Sequence, residues 1–357
     1  MNALVLVGGQ GTRLRPITYE IPKPLLPIVG RPMIFEIVEW LASHGVTKVV
    51  FALGYQSDAF LLAFASGEHA GVEVITAIEP EPRDTAGGIA FAADYAGVFD
   101  ERLIVINGDI ITDLDLTDLI AFHDEHEASA TIALTPVKDP SAFGVVPTDE
   151  FGRVTAFIEK PAIDEATTNM INAGTYVLEP SVIKMIARDI SVSIEREIFP
   201  ELVRTGELYA KSSESYWLDT GTPERYLQAQ CDVLRGHRPQ VILPDHLELS
   251  PGVLAAADAS VMGEVLGANF FGARSLLAQS ASVRDSVIEA GAVIESGARL
   301  LECVVMAGAV VGSNCVLERS IIGPDARIGE NSVISDAIVG ARVHVEPGTR
   351  ATHARIS

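Results

Sequence analysis

Residues 4–27 read LVLVGGQGTRLRPITYEIPKPLLP, and this stretch decides how the first part of the chain folds. Its apolar run 4–7 predicts a buried strand, which ends directly in Gly8, Gly9 and Gly11 (the glycine loop, residues 8–11). Glycines placed after a strand let the backbone approach a ligand and turn its N–H groups toward an anion. The stretch therefore predicts an anion site at the end of the first strand.

Cations follow the glycine loop at Arg13, Arg15 and Lys23, the last of them between two prolines. Fixed positive charge beside a glycine loop is typical of a site for a phosphate-rich ligand. The loop is neither a Walker A motif nor a dinucleotide fingerprint, because Gly11 is not followed by Lys-Ser/Thr and position 14 is Leu14. A plain turn with surface arginines is the competing interpretation, and the coincidence of so many special residues disfavours it.

Composition limits the class of protein. The 357 residues are 48% hydrophobic, enough for two packed domains. A formal net charge of −22 excludes nucleic acid and anionic membranes as partners. Because phosphate substrates are also anionic, we expect local cations and a divalent metal to offset the repulsion.

Cysteine usage and the N-terminus favour a cytoplasmic protein. Cys231, Cys303 and Cys315 are few, odd in number and without metal-ligand spacing, which predicts reduced thiols. No apolar run reaches transmembrane length, and the chain enters a strand without a basic flank or cleavage site. We therefore expect neither a signal peptide nor a membrane partner.

Residues 1–235 alternate strand-like and helix-like patterns. Strands are predicted at 49–53, 72–78, 103–106 and 131–136, and helices at 34–44 and 116–127. Such alternation indicates an α/β fold with a mainly parallel sheet, which binds ligands at the C-terminal ends of its strands. The glycine loop lies at such an end.

The composition then changes. Residues 236–250 are rich in proline and predict a linker, and from 251 to 357 apolar residues recur in steps of 6, 6 and 5, which gives 17 residues per turn. Two inward columns are predicted, 288/305/322/339 and 294/311/328/345, with small residues at 292/309/326 and 298/315/332/349. This rhythm predicts a three-sided parallel β-helix, each turn of which buries its apolar residues only by stacking on the next.

A β-helix can carry an acyltransferase site, which needs a histidine base. Only His344 and His353 lie in the repeats, and we interpret both as surface residues. Cys315 falls in a small inward column and is expected to pack there. Homo-oligomerisation, or packing against the first domain, is the expected role of this domain.

Two carboxylates are candidate metal ligands. Asp109 follows the strand 103–106, and Asp219 lies in the motif WLDTGTP. Two acidic groups converging on phosphates usually hold Mg²⁺, which prefers oxygen ligands and keeps several waters. A helix cap at Asp109 and an Asx turn at Asp219 are the alternatives.

Together these motifs resemble the signature of the sugar-nucleotide pyrophosphorylases, which join a nucleoside triphosphate to a sugar 1-phosphate. The resemblance implies a Rossmann-like nucleotidyltransferase domain followed by a left-handed β-helix of hexapeptide repeats. In this family the two aspartates hold the metal. The arginine of GTR grips the β- and γ-phosphates, and the lysine of PKP contacts the phosphates at the reacting centre. The implied catalytic residues are Arg13, Lys23, Asp109 and Lys160.

Further motifs extend the resemblance over most of the first 235 residues. In the family the glutamate of EKP binds sugar hydroxyls, its lysine binds the sugar phosphate, and the asparagine and glycine of NAG contact the sugar ring. The implied residues for the sugar phosphate are Glu159, Lys160, Asn172 and Gly174, together with Gly144 of the FGV motif. The loop EPEPRDTAGGI aligns with a loop that contacts the base and ribose. The implied nucleotide-binding residues are Leu6, Gly8, Gly9, Gly11, Thr12, Arg13, Lys23, Asp84, Thr85, Gly87 and Gly88.

The base of the nucleotide and the sugar of the sugar 1-phosphate are predicted from two further features of the sequence. Residues 193–200, SIEREIFP, resemble a segment typical of mannose-1-phosphate guanylyltransferases, and Asp84 replaces a usual glycine. A carboxylate there can accept hydrogen bonds from guanine N1–H and N2–H₂. The prediction is GTP with mannose 1-phosphate. The alternatives are thymidylyl or uridylyl transfer to glucose 1-phosphate, which Pro24 disfavours, and a catalytically silent regulatory subunit.

Overall fold

The computed structural model describes residues 1–54, 57–238 and 241–357, so Pro239 and Gln240 of the predicted linker lie outside the described residues. The chain forms two compact units. Unit 1 comprises Met1–Gly9 and Ile37–Trp217, and unit 2 comprises Gln10–Glu36 and Leu218–Ser357. The glycine loop is therefore divided between the two units, while the predicted boundaries at 235 and 251 stay a prediction.

Strands and helices alternate through the first 235 residues. In chain order they are β1 (Asn2–Leu6), β2 (Pro27–Ile28), β3 (Arg31–Pro32), α1 (Met33–Ser43), β4 (Lys48–Leu53), α2 (Ser57–Ala63), β5 (Glu68–His69), β6 (Val72–Ile78), α3 (Asp84–Tyr95), β7 (Leu103–Asn107), β8 (Ile110–Thr112), α4 (Leu116–Glu125), β9 (Ala130–Pro136), β10 (Gly144–Val145), β11 (Ile158–Glu159), β12 (Met170–Leu178), α5 (Pro180–Met185), α6 (Phe199–Thr205), β13 (Leu208–Ser212), β14 (Trp217–Asp219) and α7 (Pro223–Leu234). Short 3₁₀ helices cover Thr12–Leu14, Ile17–Tyr19 and Lys23–Leu25, and a π-helix covers Ile194–Ile198. The four strands and two helices predicted above are confirmed.

Unit 1 is built on one ten-stranded sheet. Its order is β11-β10-β12-β7-β1-β4-β6-β5, with β9 beside β12 and β13 beside β9. The central strands β7, β1, β4 and β6 are parallel, and β12 pairs with β7 in the antiparallel direction. Four of the five residues of β7 and five of the six of β4 are buried, which explains why these strands are apolar runs without alternation. Because β1, β7 and β6 are parallel, the glycine loop, Asp109 and Glu79 follow strand ends at one edge of the sheet.

Strand β12 bends where it passes the end of β7. Its register with β9 shifts between Asn172 and Tyr176, which marks a bulge. At this bulge Gly174 has φ +69°, and a Cβ there would collide with the side chains of Ile110 and Asn107. Only glycine fits this position, so the bulge brings NAG against the motif that holds Asp109.

Residues 247–357 form a β-helix. Its strands are β15 (Leu247–Ser250), β16 (Val253–Ala255), β17 (Ser260–Val261), β18 (Glu264–Leu266), β19 (Asn269–Phe271), β20 (Leu276–Leu277), β21 (Ser282–Arg284), β22 (Val287–Ile288), β23 (Val293–Ile294), β24 (Arg299–Leu301), β25 (Val304–Val305), β26 (Val310–Val311), β27 (Val316–Glu318), β28 (Ile321–Ile322), β29 (Arg327–Ile328), β30 (Val333–Ser335), β31 (Ile338–Val339), β32 (His344–Val345), β33 (Arg350–Thr352) and β34 (Arg355–Ile356). Strand β15 lies inside the predicted linker and pairs antiparallel with β16.

Three sheets confirm the 17-residue turn. From β19 onward every third strand pairs in parallel, for example Ile288 with Val305 and Ile294 with Val311. Both predicted columns are buried, with 0% exposure at Ile288 and 7% at Val345. His344 and His353 are exposed and Cys315 is buried, as predicted. The handedness of the helix stays a prediction.

One face of the β-helix is covered on its outside as well. Val287, Val304, Ile321 and Ile338 alternate with the inward column on this face and are at most 1% exposed. Residues of the segment 10–36, which belongs to the same unit, contact this region of the β-helix. A Cβ at Gly340 would lie 3.1 Å from Pro16 Cγ, and one at Gly30 would lie 3.0 Å from Phe270 Cε1. The segment that carries Arg13 and Lys23 therefore uses the β-helix as its support.

Candidate functional site

The glycine loop continues β1 and turns at Gly11. In unit 1, Gly8 and Gly9 are exposed at the end of the buried strand. In unit 2, Gly11 has φ +57°, and its carbonyl oxygen accepts hydrogen bonds from Thr18 Oγ1 (2.8 Å) and Leu14 N (3.0 Å). A Cβ at Gly11 would lie 3.0 Å from Thr18 and 3.2 Å from Lys23, so a side chain is excluded here. The turn starts the 3₁₀ helix at Thr12 and presents Arg13 to solvent.

Arg13, Lys23 and Asp219 cluster within unit 2. Lys23 is 6% exposed, and its Nζ lies 3.4 Å from Asp219 Oδ1. That oxygen also accepts the Gly221 N–H at 2.8 Å, and Arg225 Nη1 lies 3.6 Å from Oδ2. A Cβ at Gly221 would collide with the Arg13 guanidinium. The WLDTGTP motif thus folds an Asx turn at Asp219, whose carboxylate lies among the cations that are predicted to bind phosphate.

Asp109 is held at the end of β7 in unit 1. The preceding residue, Gly108, donates its N–H to the Leu6 carbonyl oxygen at 2.8 Å, and a Cβ there would collide with Val7. This contact places Asp109 beside the end of β1, where the glycine loop begins. Its side chain is half-buried.

Asp109 and Asp219 belong to different units, so their joint action on a metal stays a prediction. Across residues 1–54, 57–238 and 241–357 no group of three or more His, Cys, Asp or Glu side chains is arranged to hold a metal ion. A cation bound by these two carboxylates would complete its shell with phosphate oxygens and water, which is how Mg²⁺ is usually held. The donor set fits that group.

The Tyr176 hydroxyl joins four motifs in unit 1. It accepts a hydrogen bond from Asn172 Nδ2 at 2.9 Å, and Asn172 Oδ1 accepts the Gly174 N–H at 2.9 Å. Burial raises the pKa of Tyr176 well above its ordinary value, and the carboxylates of Glu195, Glu159 and Asp109 raise it further. One carboxylate each from the NGD, EKP and SIERE motifs therefore acts on this hydroxyl, which keeps its proton.

Glu159 and Lys160 end an edge strand. Lys160 has φ +49°, its side chain is 65% exposed, and its Nζ lies 3.1 Å from Glu159 Oε1. Its N–H donates to the Phe143 carbonyl oxygen at 3.0 Å. A Cβ at Gly144 would lie 3.1 Å from Glu159 Oε2, so the missing side chain leaves room for that carboxylate. The Lys160 ammonium group is therefore exposed to solvent, with the Glu159 carboxylate as its neighbour.

The predicted base loop forms the start of α3. Asp84 has φ +58°, and its Oδ1 accepts the Thr85 N–H at 2.8 Å. Burial raises the pKa of Glu79, while the Arg83 N–H bond and the Arg83 charge lower it. A Cβ at Gly88 would lie 2.7 Å from Glu79 Oε1 and 3.9 Å from Leu6. The first turn of α3 therefore lies against the end of β1.

The SIEREIFP segment is hydrogen-bonded to the first turn of α3. Thr85 Oγ1 donates to Glu195 Oε2 at 2.7 Å and accepts the Ile194 N–H at 2.9 Å. Both Ala86 and Gly87 donate N–H bonds to the Val192 carbonyl oxygen. The Thr85 hydroxyl is thus engaged by the protein itself, so its side chain positions the loop.

Sequence reasoning missed three residues of this region: Tyr176, Glu195 and Arg196. Tyr176 lies two residues beyond Gly174 and four beyond Asn172 on β12, and alternation along a strand can place such residues on one face. Glu195 and Arg196 stand inside a segment that the sequence singled out for its resemblance alone. Their partners, Thr85 and Asp84, lie more than 100 residues away.

Comparison with known proteins gives two family matches. The family described as Nucleotidyl transferase matches residues 2–236, and the GMPPB C-terminal domain matches residues 268–357. The structure contains no helix that is long and apolar enough to cross a membrane among its described residues.

Similar individual proteins cover most of this chain. It is 38% identical to a mannose-1-phosphate guanylyltransferase of Mycobacterium tuberculosis over 83% of each chain. It is 39% identical to a mannose-1-phosphate guanyltransferase of Schizosaccharomyces pombe over 73% of each chain. Among solved structures, HddC from Yersinia pseudotuberculosis complexed with GMP-PN is 30% identical, with a TM-score of 0.55, and the match covers 64% of this chain and 97% of that one.

Proposed function

Because the chain belongs to the nucleotidyl transferase family, we propose that it transfers a guanylyl group from GTP to mannose 1-phosphate, which gives GDP-mannose and pyrophosphate. The relatives named above carry out this reaction by name, over most of this chain's length. The observation that carries the proposal is the convergence of NGD, NAG, EKP and SIERE on the Tyr176 hydroxyl. Motifs that lie apart in the sequence are thereby brought close together, which supports one shared substrate site.

The mechanism needs no covalent intermediate. A phosphate oxygen of mannose 1-phosphate attacks the α-phosphorus of GTP, and the bond from that phosphorus to the bridging β-phosphate oxygen breaks as pyrophosphate leaves opposite. Positioning two anions and neutralising the developing charge then account for the catalysis. Lys160 guides the incoming phosphate, while Arg13 and the N–H groups of the glycine loop hold the leaving pyrophosphate. Lys23 stabilises the transition state.

Asp109 and Asp219 are the residues that would hold Mg²⁺. When bound, this ion neutralises phosphate oxygens and orients the triphosphate. The chain's own contribution is already visible at Asp219, whose carboxylate is fixed by Gly221 N–H and by Lys23. These contacts fix the orientation of the carboxylate, as a metal ligand requires.

Sugar recognition is assigned to the NAG and EKP motifs. Asn172 and Gly174 form the bulge of β12, and Glu159 ends the edge strand β11, which β10 separates from β12. The ring hydroxyls of mannose would bind Glu159 and Asn172, while Gly144 leaves space for that carboxylate. The nucleotide residues are Leu6, Gly8, Gly9, Gly11, Thr12, Arg13, Lys23, Asp84, Thr85, Gly87 and Gly88.

The cellular location and the oligomeric state are proposed from two separate observations. Cys231, Cys303 and Cys315 are buried and unpaired, which suits the reducing cytoplasm. The β-helix from residue 251 to 357, which follows a linker at 236–250, is proposed to join copies into a homo-oligomer. One of its faces is covered within the chain, so the other two sheets remain for such contacts.

A pyrophosphate-release assay tests the function. GTP, ATP, UTP and dTTP are each paired with mannose 1-phosphate and glucose 1-phosphate, and Asp109→Asn serves as the inactive control. We expect the highest kcat/KM for GTP with mannose 1-phosphate. A preference for dTTP or UTP with glucose 1-phosphate would replace the proposal, and the absence of pyrophosphate from every pair would point to the regulatory alternative.

A further inference from the structure

An ion pair lies at the start of α3. Arg196 Nη2 donates to Asp84 Oδ2 at 2.7 Å, while Asp84 Oδ1 accepts the Thr85 N–H at 2.8 Å. Both side chains are open to solvent, with 66% of Arg196 and 31% of Asp84 exposed. An exposed pair of this kind contributes at most about 1 kcal/mol to stability. Stabilisation of the fold therefore does not explain why the protein holds these two side chains in a fixed arrangement.

The support comes from both partners' backbones. Asp84 has φ +58°, a conformation that aspartate tolerates but that most residues avoid. Arg196 lies in the π-helix Ile194–Ile198, a form that occurs mainly at functional sites. Ser193 Oγ and Thr85 Oγ1 both donate to Glu195 Oε2, at 2.9 and 2.7 Å, which locks the residue before Arg196 to the residue after Asp84. The carboxylate and the guanidinium are thus held side by side.

Each side chain keeps bonding capacity for a ligand. Among the described residues the Arg196 guanidinium donates a hydrogen bond only from Nη2, and a guanidinium carries five N–H donors. Each Asp84 oxygen accepts one hydrogen bond and has a second lone pair. The pair therefore presents donors next to acceptors at the start of α3, the helix whose residue Gly88 lies against Leu6.

We propose that Arg196, together with Asp84, selects guanine: Arg196 donates to the guanine 6-carbonyl oxygen while Asp84 accepts from N1–H and the 2-amino group. This inference rests on the proposed function and names its base-selecting residue. Guanine offers one acceptor beside two donors, which matches a guanidinium beside a carboxylate. Uracil and thymine place a carbonyl oxygen where guanine has its 2-amino group, so the carboxylate repels them.

The test compares GTP, ITP and ATP with mannose 1-phosphate. ITP keeps the 6-carbonyl and N1–H but lacks the 2-amino group, and ATP lacks both the carbonyl and that amino group. The variants are Arg196→Gln, Arg196→Lys and Asp84→Asn. Arg204→Gln is the matched control, because Arg204 is 71% exposed and pairs with Glu201 on α6. Calorimetric Kd values for GDP, IDP and ADP give a second reading that does not depend on turnover.

We expect Arg196→Gln to lower kcat/KM for GTP and ITP by about tenfold or more and to leave ATP nearly unchanged. Arg196→Lys should have a kcat/KM for GTP between those of the wild type and Arg196→Gln. Lysine keeps the positive charge but lacks the planar, paired N–H donors of the guanidinium. Asp84→Asn should affect GTP more than ITP. A loss shared equally by all three nucleotides, or no loss, in a wild-type background that prefers GTP overturns this inference alone. A wild-type enzyme that prefers ATP or a pyrimidine nucleotide overturns the proposed function as well.

Discussion

Lys23 lies buried in its 3₁₀ helix, with its ammonium group 3.4 Å from Asp219. Its backbone is fixed by the next residues, because the Pro27 carbonyl oxygen accepts bonds from Tyr226 Oη (2.6 Å) and Gln230 Nε2 (2.8 Å) on α7. A lysine that is both buried and anchored loses little entropy when it binds phosphate, which suits a transition-state cation.

Replacing this cation tests its role. We expect Lys23→Ala to lower kcat by about a hundredfold or more, since a fixed charge in such a site is worth a few kcal/mol. Steady-state pyrophosphate release measures it. Lys184→Ala is the control, because Lys184 is 53% exposed and pairs with the exposed Asp100. Turnover of Lys23→Ala within threefold of wild type would remove Lys23 from the mechanism.

Glu289 is the buried carboxylate of the β-helix. It is 7% exposed, its Oε2 accepts the Ala307 N–H at 3.1 Å, and its Oε1 has no hydrogen-bond partner within the described residues. Burial raises the pKa of Glu289 from 4.5 to about 8, and the Ala307 bond opposes that rise. The folded state therefore holds this proton more tightly than the unfolded state does.

Unfolding measured over a range of pH tests whether Glu289 titrates with this raised pKa. The contribution of the Glu289 proton to stability is fully present below pH 4.5 and is lost as the pH rises toward 8, with a slope that approaches ~1.4 kcal/mol per pH unit. Glu289→Gln keeps the acceptor for Ala307 without the charge, so the variant should gain on wild type between pH 5 and 8. Denaturant unfolding at several pH values measures the gap. A gap that is constant across this range would show that Glu289 does not titrate there.

At the scale of elements, the β-helix shows how far a periodic sequence can be interpreted. Its inward columns follow from a repeat of 17, because every turn must present an apolar residue at the same place. The corners between successive strands of the β-helix were less evident from the sequence. Asp285, Glu302, Arg319, Asp336 and His353 all have φ between +42° and +51°. Such corners accept several residue types, so they leave a weak trace in the sequence.

An inward column gives the element-scale prediction. Ile322 is fully buried between Val305 and Val339, so Ile322→Ala should destabilise the β-helix by ~2–4 kcal/mol through lost burial and a cavity. Arg327→Ala, at an exposed position on the next sheet, should change it by less than ~0.5 kcal/mol. Chemical unfolding compares the two. Equal effects would mean that the column does not carry the stability of the β-helix.

The π-helix and the bulge of β12 were not predicted at all. Both depend on partners far along the chain: Ile194–Ile198 is fixed by Thr85, and the bulge closes around Asn107 and Ile110. Local propensity has no information about such partners. The motifs at these places were found only through resemblance.

At the scale of the molecule, the segment 10–36 leaves the sheet to which its neighbours in sequence belong and packs with α7 and the β-helix. One tie is the buried pair of Arg238 Nη1 and Glu36 Oε2 at 2.8 Å, where both side chains are at most 7% exposed. Another is Arg342 with Glu20 at 2.6 Å. The β-helix thus helps to hold the segment that carries Arg13 and Lys23, the cations proposed to bind phosphate.

The buried ion pair between Arg238 and Glu36 is expected to contribute strongly to the free energy of unfolding. Arg238→Ala removes a buried cation from beside the buried Glu36 carboxylate and should cost ~3–5 kcal/mol of unfolding free energy. Arg235→Ala, whose guanidinium is 42% exposed beside Asp285, should cost less than ~1 kcal/mol. Urea unfolding of both variants measures the difference. If both lost the same small amount, the Arg238–Glu36 pair would not hold the segment in place.

By itself the sequence determined the α/β part with its parallel strands, the 17-residue β-helix and the candidates for phosphate binding. Those features arise from local periodicity and from residue types clustered within a few positions, which a single chain displays directly. Only the tertiary structure decided that Tyr176 joins four motifs, that Arg196 holds Asp84, and that the segment 10–36 packs on the β-helix. Each of these depends on pairings between distant residues, which are fixed by packing and burial in the folded chain and leave no periodic trace along the sequence.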